Sequence, residues 1–339
     1  MSRHGRSYRN QRDYRKAMAE ETVQVLQQGW YLGSESYEPV DIQQELDAAK
    51  EASEELEENA VLARPGKGQD ASMQLEVTEE TSLQALYRLA ATSGGLLPPM
   101  LLLNFASAKN PGGGFLGGAQ AQEESLARSS GLFPCLEQFL DGMYARNRRD
   151  PRGCLYSGDM IYSPKVPFFR TDDGTFLERP VLCDVLTAPA PNRGAANEAA
   201  KDVSAILKAR ILRVLQVAKA YKMQTLILGA WGCGVFRNDP LEVASLFKEA
   251  LQMPDFQGCF GRVVFPIPDP KMKEQFAGVL RPGRTLEPSS ANADTVDAAE
   301  ASGSQTAAPK TSPRRRWKGG GCSDSVAAAG KESPVENPA

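Results

Sequence analysis

Apolar positions along this chain change period repeatedly, and the changes predict alternating strands and helices. Met100–Leu103 is a short continuous apolar run, as expected of a buried strand, and it leads into Asn104-Phe105-Ala106. Gln74–Thr78, Met160–Ser163, Val166–Arg170, Val181–Thr187, Thr225–Leu228 and Arg262–Ile267 read as further strands. Helical spacing is clearest over Val203, Ile206, Leu207, Ile211, Val214, Leu215 and Ala218. A second helix spans Arg9–Gln28, with Met18, Thr22, Val25 and Leu26 on one face and Gly29 as its stop. Thr81-x-x-Gln84 is a capping box that opens a helix through Leu83, Leu86, Tyr87 and Ala90, ended by Gly94-Gly95. Gln120–Arg128, Leu132–Arg146 and Lys271–Leu280 complete the set, with one more helix starting at Asp239 (N-cap), Pro240 and Glu242. Such alternation predicts an α/β fold, a three-layer α/β/α domain around a mixed sheet.

The flanks read differently. Residues 43–58 are rich in glutamate and predict an exposed helix or a mobile insertion, and 64–72 has linker composition. From 287 onward Ser, Ala, Gly and Pro dominate and periodicity stops, so 287–339 is expected to be a disordered tail. The basic run 313–318 inside it is a weak import or nucleic-acid signal, and a soluble tail is the plainer reading. The expected division is a helical N-terminal extension with acidic segment and linker at 1–72, an α/β domain at 73–286, and the tail.

Two glycine-rich loops follow strands, at the strand ends where open sheets bind ligands. The first holds Pro111, Gly112, Gly113, Gly114, Gly117 and Gly118, and the helix after it opens with Gln122-Glu123-Glu124. Consecutive glycines let peptide N–H groups approach a ligand closely. Acids at a helix start are favoured by its dipole in any case, but neighbouring glutamates also raise each other's pKa, as a proton donor requires. The second loop runs from Gly229 through Trp231, Gly232, Cys233, Gly234, Val235 and Phe236 to Pro240. Its backbone suits a diphosphate. Trp231 by itself reads as a core residue. The loop at Ala188–Asn192 either borders the ligand or is a proline-stiffened connection.

Composition narrows the chemistry. At 339 residues, 41% hydrophobic and 24% charged, the chain is that of a globular protein with a sizeable core. A net charge of −3 gives no global attraction to nucleic acid. His4 is the only histidine, so His-based triads and His metal clusters are excluded and acid–base work falls to carboxylates. Six cysteines without CxxC pairing point to a reducing compartment and no metal site. No apolar run reaches the roughly 18 residues a membrane span needs, and the N-terminus lacks the apolar core of a secretory signal. An intracellular protein, cytoplasmic or nuclear, is expected.

The motif GGG, seven residues, then QEE resembles the signature of the poly(ADP-ribose) glycohydrolases, and NFASAKNPGGGFLGGAQAQEESLARSSGL resembles their microbial type. R-x2-R-x2-R followed by AEETVQVLQQGWY and the loop GAWGCGVFRNDP are similar to the same family, over most of 9–285. The resemblance implies a macrodomain-like core and hydrolysis of ribose–ribose O-glycosidic bonds in poly(ADP-ribose). It implies Glu124 as catalytic acid and Glu123 as holder of the neighbouring ribose hydroxyls. Asn104, Gly112, Gly113 and Gly114 would bind the terminal ribose, and Gln122 would also contact substrate. Gly232, Cys233, Gly234 and Val235 would serve the diphosphate, with Phe236 near the terminal ribose. No cofactor or metal is implied. The expected partner is poly(ADP-ribose) or an ADP-ribosylated protein, without a specific nucleic acid or a membrane, and a monomer is expected. A module that only binds ADP-ribose, or a hydrolase of single ADP-ribose units on protein, would share the cradle. The arginines at 9, 12 and 15 are either a basic patch for a polymer or a solvated helix face.

Overall fold

The computed structural model describes residues 10–62, 72–92, 98–196 and 203–281, all within the unit Met1–Arg284. The tail 287–339 with its basic run, most of the linker 64–72, His4, Arg9 and the Gly94-Gly95 stop lie outside the described residues. Helix α1, Gln11–Gln28, starts where Asn10 accepts from the Asp13 N–H at 3.0 Å and ends at Gly29, whose φ of 77° turns the chain out. Met18, Ala19, Thr22 and Val25 form its buried face.

A short antiparallel hairpin follows, β1 (Trp30–Leu32) and β2 (Pro39–Asp41), and the sequence pattern carries no expectation of it. The acidic segment then folds as α2 (Gln43–Glu51) and β3 (Glu54–Leu56). It is not a free insertion: Leu46, Ala49 and Leu56 are buried, and β3 pairs antiparallel with Met160–Tyr162. Two apolar positions three apart sufficed to bury one face among the glutamates.

Strand β4 (Gln74–Thr78) leads to α3 (Ser82–Thr92) through the expected capping box. The Thr81 N–H donates to Gln84 Oε1 at 2.8 Å, and the Gln84 N–H donates to Thr81 Oγ1 at 3.1 Å. Strand β5 (Met100–Phe105) and helix α4 (Gln122–Ser129) follow. The single helix expected over Leu132–Arg146 is broken into α5 (Leu132–Glu137), a π-type turn at Leu140–Tyr144, and α6 (Ala145–Arg149). Gly142 leaves helical space at φ −89°, ψ −120°, and the Glu55 carboxylate sits where a side chain there would project. Strand β6 (Met160–Arg170) is continuous, with an irregularity between Ser163 and Val166 where Lys165 adopts φ 50°. That irregularity is why its pattern reads as two strands. Next come β7 (Phe176–Ala188), α7 (Val203–Ala220), β8 (Thr225–Ile227), α8 (Pro240–Leu251), β9 (Arg262–Pro266) and α9 (Pro270–Leu280).

Seven strands form one sheet in the order β3-β6-β7-β5-β8-β9-β4. Strands β7, β5, β8, β9 and β4 are parallel, while β6 and β3 are antiparallel to their neighbours. The sheet is therefore mixed, as expected. Alternate residues of β5 supply opposite faces. Leu101 and Leu103 pack in a core with Leu207, Ile211, Phe247 and Phe276 of α7, α8 and α9. Met100 and Leu102 pack in a second core with Leu86 of α3, Leu126 of α4 and Leu136 of α5. Helices thus cover both faces, which makes the three layers.

One buried cation ties α1 to this body. Arg170, fully buried at the end of β6, donates to Met18 O at 2.9 Å, Thr22 Oγ1 at 3.0 Å and Glu21 Oε2 at 2.8 Å, and lies 4.0 Å from the Phe176 ring centroid. Arg170→Met keeps the volume but leaves these acceptors unpaired. It should cost roughly 2–3 kcal/mol, the lower end for a buried pair because Glu21 keeps some water. A lower urea midpoint at unchanged slope is the check.

Candidate active site

Strand β5 carries five buried residues into the crevice at the carboxyl ends of the parallel strands, and α4 returns directly over its end. Gln122 makes the joint. Its Oε1 accepts from the Phe105 N–H at 2.9 Å, and its Nε2 donates to Leu103 O at 2.8 Å and Ser82 Oγ at 3.1 Å. The side chain expected to meet a ligand therefore has its amide engaged with β5 and α3, where it aims the next two residues.

Those two glutamates point about 100° apart around the helix. Glu123 is buried and accepts from the Ser107 N–H at 2.7 Å and from Asn104 Nδ2 at 3.3 Å. Asn104 also donates to Thr187 Oγ1 at 3.1 Å, and its Oδ1 has no partner among the described residues. Burial, with the charge of Glu124 behind it, pushes the Glu123 carboxyl up to about 8 against the opposing bonds from Ser107, Asn104 and Gly112. Glu124 is half-buried. Its Oε1 accepts from the Gly114 N–H at 3.0 Å, and its Oε2 makes no hydrogen bond among the described residues.

The glycines explain how both carboxylates fit. Gly113 has φ 61°, and a Cβ there would overlap Glu124 Oε1 and lie 3.1 Å from Glu123 Oε2. The space beside Gly113 is thus occupied by the chain's own acids. Ligand approach is the reason the sequence alone suggests; the carboxylates supply a nearer one.

In the second loop Gly229 (φ 71°) and Gly232 (φ 76°) turn the chain. Trp231 is buried and its indole N–H donates to Ala188 O at 2.9 Å, so it belongs to the core. Asn238 closes the loop by donating to Pro191 O at 2.9 Å and Gly232 O at 3.0 Å. The backbone N–H groups of Gly232, Gly234, Val235 and Phe236 make no hydrogen bond among the described residues, and Gly234 faces open space. Cys233 differs: its N–H donates to Ala230 O at 3.2 Å and its side chain is buried, with burial pushing the thiol up to about 12. Val235 is 77% exposed at the rim.

The start of α4 and the second loop face one cleft of about 590 Å³, whose walls include Gln122, Glu123, Glu124, Gly232, Gly234, Val235 and Phe236. Asn104 and Gly112–Gly114 are not among its walls but contact the two glutamates. Sequence reasoning missed Phe105, Ser107, Ser82 and the apolar stretch Pro266–Pro268 with Met272, which also line the cleft. Their signal is positional: each follows a strand end or opens a helix on the same edge of the sheet. Among the described residues no group of three His, Cys, Asp or Glu is placed to hold a metal ion, and no helix is long and apolar enough to cross a membrane.

Comparison with known proteins agrees with this geometry. The microbial-type PARG catalytic domain profile matches residues 19–171. Poly(ADP-ribose) glycohydrolase of Thermomonospora curvata is 39% identical, with a TM-score of 0.72 over 78% of this chain and 99% of that one. The chain belongs to the microbial-type poly(ADP-ribose) glycohydrolase family. Its macrodomain-like core is shared with a second structure of that Thermomonospora glycohydrolase bound to the inhibitor ADP-HPD (39% identity, TM-score 0.69, 78% and 98% of the two chains). The glycohydrolase of Deinococcus radiodurans in complex with ADP-ribose is 40% identical, with a TM-score of 0.61 over 69% and 96% of the two chains. No curated protein matches the chain.

Two outcomes follow from the carboxylate environments of this glycohydrolase. Gly113→Ala combines a positive φ with overlap on Glu124, and should destabilise by roughly 1–3 kcal/mol and lower turnover. Thermal unfolding and single-turnover rates check it. Because the folded Glu123 value lies above its unfolded 4.5, the folded state holds the extra proton. Stability should decline as pH rises from about 4.5 through about 8. Glu123→Gln should flatten that decline in a Tm-against-pH series, and an unaltered slope would refute it.

Proposed function

We propose that this glycohydrolase cleaves the ribose–ribose O-glycosidic bonds of poly(ADP-ribose) and releases ADP-ribose, with Glu124 as general acid and base. The observation that carries the proposal is the asymmetry of that carboxylate: one oxygen held by Gly114, the other free on the cleft wall. A fixed carboxyl with one working oxygen can protonate the departing 2′-oxygen as the bond to the anomeric carbon breaks, then take a proton from the attacking water. Adjacent helical residues cannot flank a bond from opposite faces. The second carboxyl therefore acts differently. Glu123, kept protonated near neutral pH by burial, offers a donor to a ribose hydroxyl of the neighbouring unit.

The remainder of the cleft suits the rest of an ADP-ribose unit. The free N–H groups of Gly232, Gly234, Val235 and Phe236 form a concavity for the diphosphate, with Cys233 serving to hold the turn. Phe236 reaches the ribose side, and Phe105, Ile267 and Met272 offer an apolar wall to the adenine. Asn104 and the glycines Gly112, Gly113 and Gly114 serve the terminal ribose by fixing the glutamates, and Gln122 by fixing their helix. Of the extension expected at 1–72, the described part from α1 to β3 is built into the catalytic body, because α1 is bound by Arg170 and β3 pairs with β6. An intracellular setting, cytoplasmic or nuclear, goes with this reading, since Cys135, Cys183, Cys233 and Cys259 are free thiols.

ADP-ribose release from purified poly(ADP-ribose) tests the proposal. Glu124→Gln should lower turnover by roughly 10²- to 10⁴-fold while ADP-ribose binding persists. A folded wild-type protein that binds ADP-ribose but releases none would overturn it. Release from a singly ADP-ribosylated protein would then identify a hydrolase of that linkage, and its absence a binding module.

A further inference from the structure

The arginines of α1, Arg12 exposed and Arg15 half-buried, both reach the glycine loop. Arg12 Nε donates to Gly117 O at 2.9 Å, and Arg15 Nε donates to Gly118 O at 2.9 Å. The next carbonyl, Ala119 O, accepts from Arg128 Nη1 of α4 at 2.7 Å. Three consecutive carbonyls of the glycine loop are thus each held by a guanidinium, two of them from a helix about a hundred residues away in sequence.

These carbonyls connect to the acid through Gly114. The Gly117 and Ala119 N–H groups both donate to Gly114 O, at 3.0 and 3.2 Å, and the Gly114 N–H is the donor to Glu124 Oε1. The peptide unit that Arg15 holds, Gly118 C=O with the Ala119 N–H, is therefore bonded to Gly114 itself, and the unit that Arg12 holds, Gly117 C=O with the Gly118 N–H, is bonded to the neighbouring Phe115 O at 3.0 Å. A second observation comes from the loop's side. Gly118 has φ 72°, and a Cβ there would overlap the carbonyl oxygen of Arg12 and stand 3.1 Å from its Cγ. Loop and helix are in backbone contact, with Phe115 buried beside Ala19 and Ala127 beneath them.

We infer that Arg12 and Arg15 are positioning residues for Glu124, acting through the carbonyls of Gly117 and Gly118. The inference rests on the proposed role of Glu124 for its kinetic consequence, but not for its structural one. A carbonyl clamp of this kind needs a planar donor fork aimed along the loop, which arginine supplies and lysine replaces only with a point charge. Misplacement of a reacting group by an ångström costs on the order of 10²-fold in rate, so loosening the loop acts on turnover.

The test compares the full-length wild-type chain with Arg12→Gln, Arg15→Gln, their double variant, Arg15→Lys, and Gly118→Ala. Amide hydrogen exchange over 112–120 should quicken by roughly tenfold or more in the double variant while β5 and β8 keep their protection. On poly(ADP-ribose), kcat should fall by roughly 10- to 100-fold. ADP-ribose affinity, which depends on the 232–236 loop, should hold. Arg15→Lys should recover part of the loss, and Gly118→Ala should reproduce it from the other side of the contact. Unchanged exchange over 112–120 would overturn the inference whatever the activity. So would a salt-dependent rise in KM at constant kcat, which would make the arginines a polymer grip. Loss of activity only in proportion to folded protein would overturn it too, as a purely structural role. A wild-type chain that releases no ADP-ribose would defeat the functional proposal instead, and the exchange result would still decide this one.

Discussion

The three hydrogen bonds of the Gln122 amide hold α4 across the end of β5, and the geometry of the cleft depends on that fastening. β5 is buried on both faces between β7 and β8, so it cannot shift to accommodate the helix. The helix has to fit the strand. With Gln122 locked on the strand's last peptide groups, the rotation of α4 is set, and with it the directions of both glutamates. A helical slip of one residue would turn them by about 100° and exchange the buried environment for the open one.

That fixed rotation is what lets two identical side chains differ. Glu123 enters a dry space and is met by donors from Ser107, Gly112 and Asn104, too few to offset the loss of water. Glu124 stands half in solvent with one oxygen tethered. Environment rather than residue type separates the roles. The glycine loop serves the same end, since the absent Cβ of Gly113 leaves room for the acids to be neighbours.

What the chain shows of itself before folding depends on how local each signal is. The N-terminal caps of α3 and α8, the stop at Gly29 and the apolar run of β5 act within a few residues and are legible in the sequence. Both glycine loops are visible for the same reason. The break at Gly142 is not, because the carboxylate packed against it there is Glu55, far back in the chain. The burial of α2 is masked by the glutamates around Leu46 and Ala49. In the site, Glu123 and Glu124 stand out as a motif, whereas the contributions of Gln122, Arg12 and Arg15 are set by backbone groups that no side-chain pattern reveals. Asn238 is hidden likewise, since it bonds to carbonyls of two separate loops.

The order of strands has a consequence for assembly of the chain. β4 is one of the sheet's two edge strands and pairs only with β9, and Gln74 and Arg262, joined across that pair, are 188 residues apart. On a ribosome, β4 emerges early and waits for nearly all the remaining fold before its partner exists. The hairpin of β6 and β7 and the pairing of β5 with β7 can form first, so the glutamate-bearing edge is in place before the sheet is closed. Parallel pairing at such separation is slow, and an unpaired edge meanwhile is open to other chains. The late-closing side is also the side whose Pro266–Pro268 stretch walls the cleft. A nascent chain therefore holds its acids before it holds the far wall of the pocket they face.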